Sequence, residues 1–112
     1  MHKLVILIEA TENETALDDA WPDFLHLAES MPGLVREATS RVETALFGKV
    51  HYSLMHELFF DSIQAINTAM ASPQGRQAGR QLQAMTGGRV TLFLASHKED
   101  DIAKIRQFKT SI

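Results

Sequence analysis

Two stretches of this chain, Lys3–Glu9 and Val50–Phe60, carry apolar residues at odd and even positions alike. Successive side chains of a strand point to opposite faces, so a strand of this kind must be covered on both. In the second stretch Val50, Tyr52, Leu54, Leu58 and Phe60 face one way, and Met55 and Phe59 face the other. A chain of 112 residues has little material with which to cover both faces of a sheet. A domain this small buries less than about 70 % of the surface its unfolded chain exposes. A second copy laid against the uncovered face is the economical remedy.

The remaining segments supply the other elements. Leu17, Trp21, Phe24, Leu25, Ala28 and Met31 recur at spacings of three and four, the mark of an amphipathic helix. Pro22 lacks a backbone donor and clashes one turn back, which predicts a clean start near Ala20 or Trp21 with Asp18 or Asp19 as cap. Pro32-Gly33 stops this helix. Leu34 to Phe47 mixes charged with small or apolar residues and reads as a long, partly exposed strand near a sheet edge, ended by Gly48. Asp61 is the predicted cap of a helix bearing Ile63, Ile66, Ala69 and Met70. Ser72-Pro73 restarts that helix, because a serine cap followed by proline satisfies one orphan donor and needs none at the next position. The second piece runs to Met85, and Gly87-Gly88 releases the chain into a strand over Val90–Ala95. The tail Asp100–Phe108 reads as a short helix. The order is βαββαβ: an α+β, ferredoxin-like fold with a four-stranded antiparallel sheet and helices on one face. Sheet-to-sheet pairing into a dimeric α/β barrel would bury roughly 1,200 Å² or more.

Composition sets the outer bounds. At 45 % apolar and 22 % charged the chain predicts one globular domain over residues 1–112, with a core at 3–97 and a tail at 98–112. The formal charge is −3 and no two Lys or Arg are adjacent, which speaks against nucleic acid as a partner. The apolar run Leu4–Ile8 is too short for a membrane span or a signal core, so the expected location is the cytoplasm, with no membrane partner. There is no cysteine, which removes thiolate chemistry and Cys-based metal sites. No phosphate loop, dinucleotide fingerprint or zinc-protease helix is present, and no cofactor or metal is predicted.

Several stretches resemble the EthD-like branch of the dimeric α/β barrel proteins, over most of residues 3–97. Met31-Pro32-Gly33-Leu34 resembles the family's turn from first helix to second strand, and Trp21 resembles the aromatic in the helix before it. Met70-Ala71-Ser72-Pro73-Gln74-Gly75, followed by Ala78, resembles the segment that opens the family's last helix. The resemblance implies a homodimer whose two sheets form a barrel, with a ligand cleft between each sheet and its own helices. It departs at two places. Phe24 stands where family members commonly carry a first-helix histidine, His26 falling two residues later, and Gln81 stands where many carry an acid.

Chemistry is sought first among the five histidines, since imidazole titrates near neutral pH. His56 shares a strand face with Leu54 and Leu58, while His51, five residues away, faces the other side, so the two cannot chelate one ion. His56, His26 and Tyr52 are the candidates for moving a proton. For each, the commoner use of such a residue is a structural hydrogen bond. Trp21, Phe24, Met55 and Met70 suit an apolar pocket, and Arg36 is a candidate anchor, although a solvated edge also accounts for Arg36, Glu37, Arg41 and Glu43. Gly75 and Gly79 read as close helix packing. Two functions stay open. One is a cofactor-free oxygenase, cyclase or isomerase acting on a small apolar metabolite. The other is a non-catalytic homodimer that binds such a molecule or supports another enzyme.

Overall fold

The computed structural model describes residues 1–103, so the rest of the expected tail helix lies outside the described residues. The described residues form, in chain order, β1 (His2–Glu9), α1 (Glu14–Glu29), β2 (Arg36–Arg41), β3 (Tyr52–Phe60), α2 (Ile63–Ala71), α3 (Pro73–Thr86) and β4 (Val90–Ser96). The strands form one antiparallel sheet in the order β2-β3-β1-β4, the ferredoxin-like arrangement. The two strands that are apolar on both faces are thus the central pair, as their composition demands.

Register fixes which residues share a face. Leu4 lies opposite Leu58 and Leu94, Ile6 opposite His56 and Leu92, and Ile8 opposite Leu54 and Val90. These residues look toward the helices, where Leu17, Phe24, Ala28, Ile66, Ala69, Ala78 and Leu82 complete one core. Each large side chain fully buried there contributes roughly 1.5–3 kcal/mol. The helices therefore cover a single face of the sheet.

The other face carries Val5, Leu7, Met55, Phe59 and Phe93, with the Lys3–Glu57 ion pair set among them. Phe59 is roofed by cationic and aromatic groups: the Arg36 guanidinium lies 3.7 Å from its ring centroid and the His97 ring 4.8 Å away. Phe93 remains 45 % exposed.

Local chemistry corrects several expected boundaries. Helix α1 begins seven residues before Trp21, because Asn13 caps it by accepting from the Ala16 amide at 3.3 Å. Asp18, expected as a cap, is inside the helix and pairs with Arg41. Pro22 is accommodated within α1 because it lies on the exposed side, where water can take the carbonyl it leaves unbonded. The cap of α2 is Ser62 rather than Asp61; its side chain accepts from the Ala65 amide at 3.0 Å. Ser72 caps α3 by accepting from the Gly75 amide, and Gly87, at φ 61, ends that helix.

The larger departure is the second strand, which stops at Arg41 instead of Phe47, while β3 starts at Tyr52 instead of Val50. Residues 42–51 form a long connection whose tip, Leu46 and Phe47, is fully exposed. The radius of gyration is 16.5 Å, against roughly 13 Å for a compact chain of this length. Among the described residues, no helix is long and apolar enough to cross a membrane.

Candidate functional site

Strand β2 turns Glu37, Thr39 and Arg41 toward the helices, and each of the three is polar. An apolar helix face would strand such a row, so α1 meets it with polar groups of its own. Arg41 pairs with Asp18 at 3.0 Å. Thr39, the cross-strand neighbour of His56, places its Oγ1 2.8 Å from His56 Nδ1. Glu37 places Oε2 3.1 Å from His56 Nε2. Both ring nitrogens of His56 are thereby used, and the imidazole is 0 % exposed. Trp21 of α1 closes over it edge-on, with ring centroids 5.1 Å apart at 90°, and Phe24 stands 6.2 Å away.

Burial decides the charge states. Desolvation pushes His56 down to about 4, against the opposing influence of Glu29 and Glu57, so the ring is neutral at physiological pH. Desolvation, followed by the hydrogen bond that protonated Glu37 donates to the Glu29 carboxylate and by repulsion from that carboxylate, pushes Glu37 up to about 7. The 3.1 Å contact has the geometry of an ion pair, yet both shifts favour the uncharged partners, so at neutral pH it is a hydrogen bond. When Glu37 is ionised, His56 Nε2–H donates to it and Nδ1 accepts from the Thr39 hydroxyl. Thr39, His56, Glu37 and Glu29 thus form a chain of proton-carrying groups that runs from the exposed edge of β2 through the buried imidazole to the end of α1.

Beside this chain lies an apolar cavity of about 240 Å³ between sheet and helices. Leu4, Ile6 and Leu58 form its floor, Phe24 and Met31 one wall, and α3 the other, with Arg76 the charged residue in its lining. Phe24 belongs both to the cavity wall and to the aromatic surround of His56. Leu58, on the floor, is the cross-strand neighbour of Glu37. Cavity and polar chain are therefore one side chain apart.

The structure sorts the expected site residues into four places. His56, Trp21, Phe24 and Met70 gather on the helix side, the last two in the cavity lining. Arg36 and Met55 are on the opposite face of the sheet, because both pair in register with residues that point away from the helices; Arg36 stacks on Phe59 and pairs with Glu99 at 2.9 Å. His26 projects from the exposed side of α1, and Tyr52 is half-buried in a recess with His51 and residues 41–45. Neither reaches His56 or the cavity. Sequence reasoning read Glu37 as part of a solvated edge and passed over Thr39 and Arg76. The alternation of Glu37 and Thr39 along β2, on the face that pairs with His56, was the available signal. Among the described residues, no three His, Asp or Glu side chains gather around a point where a metal could sit.

No protein-family model matches the chain, and no curated protein does. Solved structures match it well. An EthD (ethyl tert-butyl ether D) family protein of Bacillus halodurans superposes with a TM-score of 0.81 and 25 % identity, covering 88 % of this chain and 99 % of that one. A dimeric ferredoxin-like protein of unknown function from Jannaschia matches with a TM-score of 0.62 at 18 % identity, covering 86 % of this chain and 97 % of that one. SnoaB, a cofactor-independent oxygenase from Streptomyces nogalater, matches with a TM-score of 0.64 at 15 % identity, covering 88 % of this chain and 94 % of that one.

Proposed function

We propose, from the premise that the chain is EthD-like, that it works as a homodimer which binds a small apolar molecule between sheet and helices and moves a proton on it. The observation that carries this reading is the adjacency of an apolar cavity to a half-buried carboxyl with a proton affinity near neutrality. The resemblance to SnoaB supports chemistry that uses no cofactor. The dimeric ferredoxin-like relative supports pairing, as does the half-exposed Phe93 on the sheet face away from the helices.

Within the site, roles follow from reach and pKa. A general acid or base works best when its pKa lies near the working pH. Glu37, at about 7 and with its side chain 22 % exposed, meets that condition; His56, at about 4 and wholly enclosed, does not. Glu37 is the proton-transferring group, and His56 is a positioning residue that holds its carboxyl through Nε2 and is itself held by the Thr39 hydroxyl at Nδ1. Such help is worth about 10² to 10⁴ in rate. Trp21 and Phe24 exclude water from His56.

A second reading, a binder without catalysis, is favoured by the enclosure of His56 and by a cavity lining in which Arg76 is the single charged residue. Native mass spectrometry of protein purified from cells tests both. We expect an assembly of twice 12.5 kDa that carries a small molecule. Incubation of that molecule with wild type and with Glu37→Gln separates the readings: turnover by wild type and not by the variant supports catalysis, and retention unchanged by both supports the binder. A bare monomer would count against both.

A further inference from the structure

We infer that the molecule held in the cavity carries a carboxylate at one end, which Arg76 and Arg80 grip at the cavity mouth; this rests on the binding reading above. Three observations converge on α3. First, the cavity opens into a groove of about 730 Å³, and the two share Arg76, Gly79, Leu82 and Leu92, the groove adding Arg80 and Gln83. The space is thus apolar inside and cationic where it meets water.

Second, the two arginines are exposed and have no acidic partner on their own helix. They lie four residues apart, on one side of the helix, where like charges repel. Helix α3 contains no acidic residue, although the chain as a whole is net negative. Neither arginine takes part in an ion pair among the described residues. An anion between them would relieve the repulsion, and guanidinium binds carboxylate in bidentate fashion.

Third, Gly79 sits between them in mid-helix, where glycine is disfavoured. Packing does not require it, because a Cβ built there meets nothing within 4 Å. Gly75 differs: a Cβ on it would fall 2.1 Å from the Ala69 carbonyl oxygen. The sequence pattern treats these glycines as a pair, but only Gly75 serves close packing. What Gly79 preserves is the passage from cavity to groove. At about 240 Å³ the cavity is smaller than the roughly 300–1,000 Å³ of sites for drug-sized ligands. The apolar part of the ligand is accordingly a short chain or a single ring.

The test is a calorimetric titration of the full chain at pH 7 with octanoate, 1-octanol and octylammonium as probes. We expect octanoate to bind about tenfold more tightly than octanol, the worth of one charge-assisted contact, and octylammonium to bind most weakly. In the double variant Arg76→Gln, Arg80→Gln the preference for octanoate should vanish while octanol affinity stays the same, which also certifies that the variant is folded. Gly79→Leu should weaken both by blocking the passage. Octanol binding as tightly as octanoate to wild type, or a preference that survives in the double variant, overturns the carboxylate and leaves the apolar cavity standing. Failure of all three probes to bind overturns the binding reading itself.

Discussion

His56 is neutral because it is buried, and Glu37 keeps its proton for the same reason, so the two residues give folding opposite pH dependences. Glu37 rises from 4.5 to about 7 on folding; its contribution is full below 4.5 and is lost as the pH rises through 7. His56 falls from 6.5 to about 4; its contribution is present above 6.5 and is lost as the pH falls through 4. Between 4.5 and 6.5 the slopes oppose each other. Urea midpoints measured from pH 4.5 to 8 should therefore be nearly level to pH 6.5 in wild type. In His56→Gln they should fall steadily with rising pH, and in Glu37→Gln they should rise up to pH 6.5 and then stay level. A level profile in both variants would mean that neither group is perturbed. Glycine gives a second comparison at this scale. Gly79→Ala should raise stability by about 0.5–1 kcal/mol, since the new methyl meets no neighbour. Gly75→Ala should lower it, because backbone must move to admit the methyl.

The elements differ in how much of themselves they announce. The central strands β1 and β3 and the start of α3 were legible in the sequence, since apolar runs and a serine-proline cap act locally. The end of β2 was not. Val42 to Phe47 has the composition of a strand, but a strand exists only where a neighbour pairs with it, and the pairing with β3 ends one residue past Arg41, where the Val42 amide donates to the Ser53 carbonyl at 2.9 Å. The start of α1 was missed because Pro22 reads as a breaker, whereas its cost depends on whether water reaches the freed carbonyl, a tertiary matter. The site was half legible for a related reason: His56 stood out by type, but its partners Glu37 and Thr39 became visible only through the register of β2 on β3. At this scale the 42–51 connection makes a clear forecast. The double substitution Leu46→Ser, Phe47→Ser should leave the unfolding free energy of the isolated protomer within about 0.5 kcal/mol, because neither side chain is buried in it. A larger loss, read by urea titration at low protein concentration, would show that the tip packs on its own chain.

For the whole molecule, the sheet face away from the helices decides assembly. Phe93 lies on it, opposite Val5 and half exposed. Phe93→Asp should reduce the mass measured by light scattering from a dimer to 12.5 kDa without changing the helical circular dichroism. A dimer that survives would place the contact elsewhere. On the helix side, the ring of Phe24 partitions the interior into a greasy chamber over β1 and a hydrogen-bonded one over β3 and β2. On the proposed reading, shape selection belongs to the first compartment and proton affinity to the second, and they meet on β3, which gives Leu58 to one and His56 to the other. A lineage could retune what enters without disturbing the acid, or retune the acid without changing what enters, as long as that one aromatic wall stays in place.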